Sequence, residues 1–203
     1  MQKIEDVYPK WLINKVFIHE LGHYIANLIN SQNSELPNSN TIHFYPCTEN
    51  NEELCGECKN SNPKKYNQLI KPKDLLAELI GSVIMGCIFQ AYYLKSELIQ
   101  CLNNNGSTDR EIIRNAKDEY LTDEKMVALS ALEDKFLEVL KQNNTLEFLN
   151  DLKPLNFIQN TETENRWGVD LLKLDEFLKN VDLQPFEAEY LAFLERLREV
   201  IYS

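Results

Sequence analysis

The chain has 203 residues, 43% of them hydrophobic, which suits one domain with a real core or one domain with a small appendage. Acidic residues outnumber basic ones by 32 to 21, and the resulting net charge of −11 is spread along the chain rather than gathered in a tail. That balance reads as a solvated surface and argues against nucleic acid as a partner, because phosphate contacts need clustered Lys and Arg.

Met1 to Lys10 carries Glu5 and Asp6 and has no apolar run behind a basic start, so no secretory signal is expected. Pro9 suits the first turn of a helix, and the apolar stretch after it predicts a helix from about Lys10 to Ile29. Inside that stretch stands His19-Glu20-Leu21-Gly22-His23, an H-E-x-x-H sequence that uses two of the chain's three histidines. Residues four apart on a helix share one face, one turn above each other. Two imidazoles so placed can share one tetrahedral zinc. Glu20 can then reach a water on that ion as its general base.

Asn30 to Asn40 has the composition of a loop. Thr41-Ile42-His43-Phe44-Tyr45 reads as a strand ended by Pro46, and a candidate edge on which an extended peptide could pair. Cys47 to Lys65 is polar and reads as a loop or small insertion. His43, Cys47, Cys55 and Cys58 give H-x3-C-x7-C-x2-C, a candidate structural metal set; free thiols in a polar loop are the alternative. With no signal peptide, five cysteines point to a reducing compartment, the cytoplasm, and to free or metal-bound thiols. Asp74 to about Leu102 predicts a second helix, apolar on most sides. Glu78, Gln90 and its glycines favour a buried central helix over a membrane span, with Cys87 and Cys101 as packing residues.

Thr108-Asp109-Arg110-Glu111 has capping-box form and starts a helix to about Tyr120. Thr122 starts the next, with Leu121 and Met126 spaced as a staple and Met126, Leu129, Leu132, Phe136 and Leu140 as one apolar stripe, ended by Asn143-Asn144. A short helix is expected from Thr145 to Leu152, and Asn156 to Trp167 reads as a linker. Val169–Val181 and Pro185–Tyr202 read as amphipathic helices, the last with Phe186, Tyr190, Phe193, Leu197 and Ile201 on one face.

A catalytic zinc needs a third protein ligand and an open position. A histidine six residues after His23 would serve, but that position is Ile29, so the ligand must come from far along the chain. Three residues qualify. Asp109 opens a predicted helix, and otherwise serves only as a first-turn acid. Glu78 is a lone carboxylate in an apolar run, where it needs a partner of some kind. His43 lies on the predicted strand.

Four segments in order resemble the M41 peptidase family, the protease domain of FtsH-type ATP-dependent proteases. They are Phe17 to Ile25 with the zinc motif, the Thr41–Pro46 strand, the glycine-containing Leu79–Phe89 helix, and Gly106 to Ala116. The likeness covers about Lys10 to Tyr120. It implies a mainly α, helical zincin-like peptidase domain with one or two short β-strands, over residues 1–155. Residues 156–203 would be a C-terminal helical extension packed on it. It also implies a Zn2+ cofactor held by His19, His23 and Asp109, with Glu20 as base and Glu78 as the alternative third ligand. The departures are the missing ATPase phosphate loop, the missing anchor and the absent acidic pair on the buried helix.

The expected activity is zinc-dependent metalloendopeptidase chemistry on a peptide or protein substrate, with no ATPase module in this chain and no membrane partner. Two alternatives are a non-catalytic binding protein and a regulatory enzyme acting on one partner. The complete motif, Glu20 included, speaks against the first. The sequence leaves the oligomeric state open.

Overall fold

A computed structural model of the chain describes residues 2–34, 36, 38–47, 53–59, 75–104, 109 and 121–203. The fold is mainly α, with a small antiparallel sheet. In chain order the elements are α1 (Lys10–Asn33), β1 (Thr41–Pro46), β2 (Leu54–Lys59), α2 (Leu76–Leu94), α3 (Leu98–Asn104) and α4 (Asp123–Asn143). There follow β3 (Ile158–Asn160), β4 (Trp167–Val169), α5 (Leu171–Leu178) and α6 (Gln184–Tyr202). Asp109 is the one described residue of the predicted Thr108–Tyr120 helix.

The centre of the molecule is the antiparallel pair α1–α2. The asparagine Nδ2 of Asn14 donates to the Tyr93 hydroxyl, His23 meets the Ser82 carbonyl, and Asn30 Nδ2 donates to the Glu78 carbonyl. Numbers rise along α1 as they fall along α2, which fixes the register. The helices approach closely because Gly22 faces α2: a Cβ there would stand 2.3 Å from the Met85 carbonyl oxygen. α2 is long and apolar enough to cross a membrane, yet 83% of that window is buried inside the protein, as expected of a core helix.

The helix predicted to run from Asp74 to about Leu102 breaks early. Lys95 takes a left-handed φ of 53° and caps α2 by donating its N–H to the Ala91 and Tyr92 carbonyls. The break turns Leu98 and Cys101 of α3 back onto the core, where both are buried. Thr122 caps α4 as its sequence suggests, accepting from the Lys125 N–H, and Asn144 ends it at a φ of 53°. The expected face of α6 is buried throughout: Phe186 packs edge-on against Phe89 of α2, and Phe193 stacks on Phe136 of α4.

The sheet differs most from expectation. Its order is β2-β1-β4-β3, so among the described residues it has four strands rather than one or two. β1 pairs β2 along its whole length and β4 at His43 and Phe44, which makes it an interior strand and not the expected edge. Ile42 and Phe44 point inward, where Phe44 stacks on Phe17 of α1. β2 lies within the stretch read as a loop. Leu-Cys-Gly-Glu-Cys-Lys has little β signal of its own, and pairing with β1 supplies it. The stretch 156–167, read as a linker, holds β3 and the start of β4. Trp167 anchors it: the indole is buried, packs edge-on against Tyr8, and donates to the Gln2 carbonyl. Residues 156–203 therefore complete the sheet as well as adding helices.

Glu133 of α4 is buried, and burial, reinforced by Asp134, raises its carboxyl to about 8. The native state thus keeps a proton that the unfolded chain releases above its ordinary value of 4.5. Stability from this group is full at low pH, falls as pH rises from about 4.5 to about 8, and is flat beyond. Glu133→Gln should leave stability near pH 4.5 little changed and raise it by about 1–3 kcal/mol above pH 8 in denaturant titrations. A difference that does not vary with pH would refute the assignment.

Candidate metal centre

His19 and His23 stand on one face of α1 with ring centroids 4.8 Å apart. Their Nε2 atoms are 3.1 Å from each other. Asp109, 86 residues beyond His23 in the chain, brings Oδ2 to 3.1 Å from His19 Nε2 and 3.4 Å from His23 Nε2. Donor atoms at roughly 2.0–2.1 Å from a tetrahedral ion stand roughly 3.3 Å from one another. The three separations match that spacing. The site is buried without being sealed, since the side chains of His19, His23 and Asp109 are 8%, 11% and 17% exposed.

Ring orientation follows from the second nitrogen of each imidazole. The carbonyl of Ser82 can only accept, so His23 Nδ1 carries the hydrogen of its 2.8 Å bond, and neutral His23 presents a lone pair at Nε2. His19 Nδ1 lies 3.7 Å from Cys101 Sγ, with its Nε2 also turned to Asp109. Burial opposes charge on His23, but Asp109, Glu20 and the Ser82 carbonyl outweigh it and lift the imidazole to about 9. Burial likewise works to raise the Asp109 carboxyl, yet the two imidazoles hold it below the usual carboxylate range.

Glu20 is buried beside the imidazoles. Burial pushes its carboxyl upward; His23 and His19 pull it back, and Asp109 and Glu57 add to the rise. β2 lies directly on it: a Cβ at Gly56 would come within 2.6 Å of Glu20 Oε1. Gly86 of α2 does the same for the histidines. A Cβ there would sit 2.4 Å from His23 Nε2 and 2.7 Å from His19 Nε2. The absent side chain leaves a cradle in front of both donor atoms. The donor set, its spacing and this cradle together fit a zinc-sized dication.

The other sequence candidates go elsewhere. Glu78 is buried, but its Oε1 pairs with Arg198 of α6, the neighbouring-helix partner that an apolar run requires. His43 lies on the outward face of the sheet, 3.7 Å from Glu57, which also pairs with Lys59 and Arg166. The structural metal set of His43, Cys47, Cys55 and Cys58 is not assembled. Cys47 and Cys55 form a disulfide. Cys55 and Cys58 are three apart on a strand, so they point to opposite faces. Cys58 turns inward toward Glu20 and Ser39, where burial pushes its thiol up. Cys87 and Cys101 form a second disulfide, so thiols expected to be free or metal-bound are paired at four positions, and Cys58 is free.

Gly56, Gly86, Ser82 and Cys101 were not singled out from sequence as parts of the site. Only Gly86 left a trace there, as a small residue in an otherwise bulky apolar helix. No family model, curated protein or solved structure matches the chain.

Gly86→Ala tests the cradle. Alanine favours the helix by about 0.5–1 kcal/mol, so α2 should persist in circular dichroism. Zinc bound per chain should fall well below that of the wild type, because the methyl group displaces the imidazoles. Undiminished metal content would show that the cradle is not needed.

Proposed function

We propose that the chain is a zinc-dependent metalloendopeptidase: a zincin-like domain of the M41 type, acting on a peptide or protein substrate. The observation that carries this reading is the meeting of three donor atoms, from residues 19, 23 and 109, at 3.1 to 3.4 Å. The resemblance named the same three residues on other grounds. His19, His23 and Asp109 would hold the ion. When bound there, zinc supplies Lewis-acid chemistry, acidifying water and polarising a carbonyl oxygen.

The chain's own groups supply the rest. Glu20 takes the proton from the attacking water at its carboxylate and returns it to the leaving amine. Its raised carboxyl suits that exchange, because a base nearer neutrality both accepts and releases readily. The Ser82 carbonyl holds His23 in the tautomer that leaves Nε2 free. β2 pairs only with β1 among the described residues and lies on Glu20 through Gly56. An extended substrate would therefore add at β2 rather than at β1.

Three variants test the roles. Glu20→Gln should keep zinc and lose peptide cleavage by about 10²–10⁴-fold. Asp109→Ala should lose zinc in metal analysis of the purified protein. Glu78→Ala should keep it while destabilising the fold, since Arg198 is left without its partner. Cleavage by Glu20→Gln at the wild-type rate, or full zinc in Asp109→Ala, would overturn the mechanism.

A further inference from the structure

His19 is held from both sides. Its Nε2 faces Asp109 at 3.1 Å, and its Nδ1 faces Cys101 Sγ at 3.7 Å. Cys101 is bonded to Cys87, which follows Gly86 of the metal cradle. Both cysteines are buried, Cys87 at 0% and Cys101 at 1% exposure. The bond joins α2 to α3 with Cα atoms 5.4 Å apart. The bond whose sulfur lies against the His19 ring thus ties α3 to the helix whose Gly86 cradles both imidazoles.

We propose that Cys87 and Cys101 are a redox-controlled positioning pair for the metal centre, an inference that rests on reading His19, His23 and Asp109 as that centre. In the disulfide form α3 is latched to α2, and the Cys101 sulfur braces the His19 ring. A dithiol reductant opens the latch. Its thiolate attacks one sulfur to form a mixed disulfide, and its second thiol displaces that bond. Two electrons and two protons pass to the cysteines, which become two thiols, and the reductant leaves as its own disulfide. α3 then keeps only its packing contacts, and the loop between the cysteines regains the freedom that the cross-link removed. Positioning the His19 ring becomes costlier, so the reduced form holds zinc more weakly.

The test uses the full chain carrying Cys47→Ser and Cys55→Ser, so that Cys87–Cys101 is the only cross-link. One sample is oxidised with glutathione disulfide. A second is reduced with dithiothreitol and desalted without air. Thiols are counted by alkylation and mass, and metal is stripped. Zinc affinity is then measured against a chromophoric chelator, and cobalt(II) absorption is recorded as a report on donor geometry. The oxidised form should bind zinc about 10-fold or more tightly than the reduced form, the scale at which groups behind metal ligands act. Its cobalt spectrum should differ from that of the reduced form. Adding Cys87→Ser and Cys101→Ser should give the weaker affinity under both treatments. Equal affinities and superimposable cobalt spectra in the two forms, or a pair that never oxidises, would overturn the latch while leaving the metal centre intact. No zinc binding in either form would overturn both.

Discussion

The contact on which the rest depends is the close antiparallel crossing of α1 and α2. Helix axes come near only where a side chain is missing, and here two are missing at one crossing. Gly22 admits the backbone of α2 at Met85, and Gly86 admits the two imidazoles of α1. The first glycine sets the distance between the helices. The second turns that closeness into a space in front of two nitrogen donors. Because the crossing also fixes the register, the Ser82 carbonyl arrives where it can hold His23 by one nitrogen and free the other.

Charge makes this crossing costly unless it is balanced. Asp109 and Glu20 bring two carboxylates into a region that is almost dry, where burial works to raise both. A shared proton is one answer, and the raised value of His23, near 9, expresses it. A dication is the fuller one, since it cancels both carboxylates and uses both imidazole lone pairs. The contrast with Glu78 is instructive. That carboxylate is equally buried in the same core, but Arg198 reaches it from α6, and it is thereby spent on structure.

The sheet closes the other side of the site. β2 crosses over Glu20 with Gly56 at the point of contact, and β1 ties it to β4 and so to the C-terminal part of the chain. Glu57, turned to the outer face, gathers His43, Lys59 and Arg166, and Arg166 covers the Tyr45 ring at 5.7 Å. This polar cluster joins β2, β1 and the start of β4 on the face away from α1. It gives β2, poor in strand-forming residues, a reason to stay paired.

By itself the sequence determined what short-range chemistry encodes. Helical spacing put His19 and His23 on one face, Thr122 and Asn144 marked the ends of α4, and the stripe from Phe186 to Ile201 marked the buried side of α6. Such signals lie within a turn or two of one residue. The tertiary structure decided which distant side chain meets the imidazoles, because Asp109 packs against them while Glu78 pairs with Arg198 and His43 lies by Glu57. It also decided that β2 and β3 are strands and that Cys55 and Cys58 face apart, since pairing with β1 and β4 imposes an alternation that their own side chains do not announce. Local spacing fixes a direction for each side chain; only the packing of one element on another fixes what stands there to meet it.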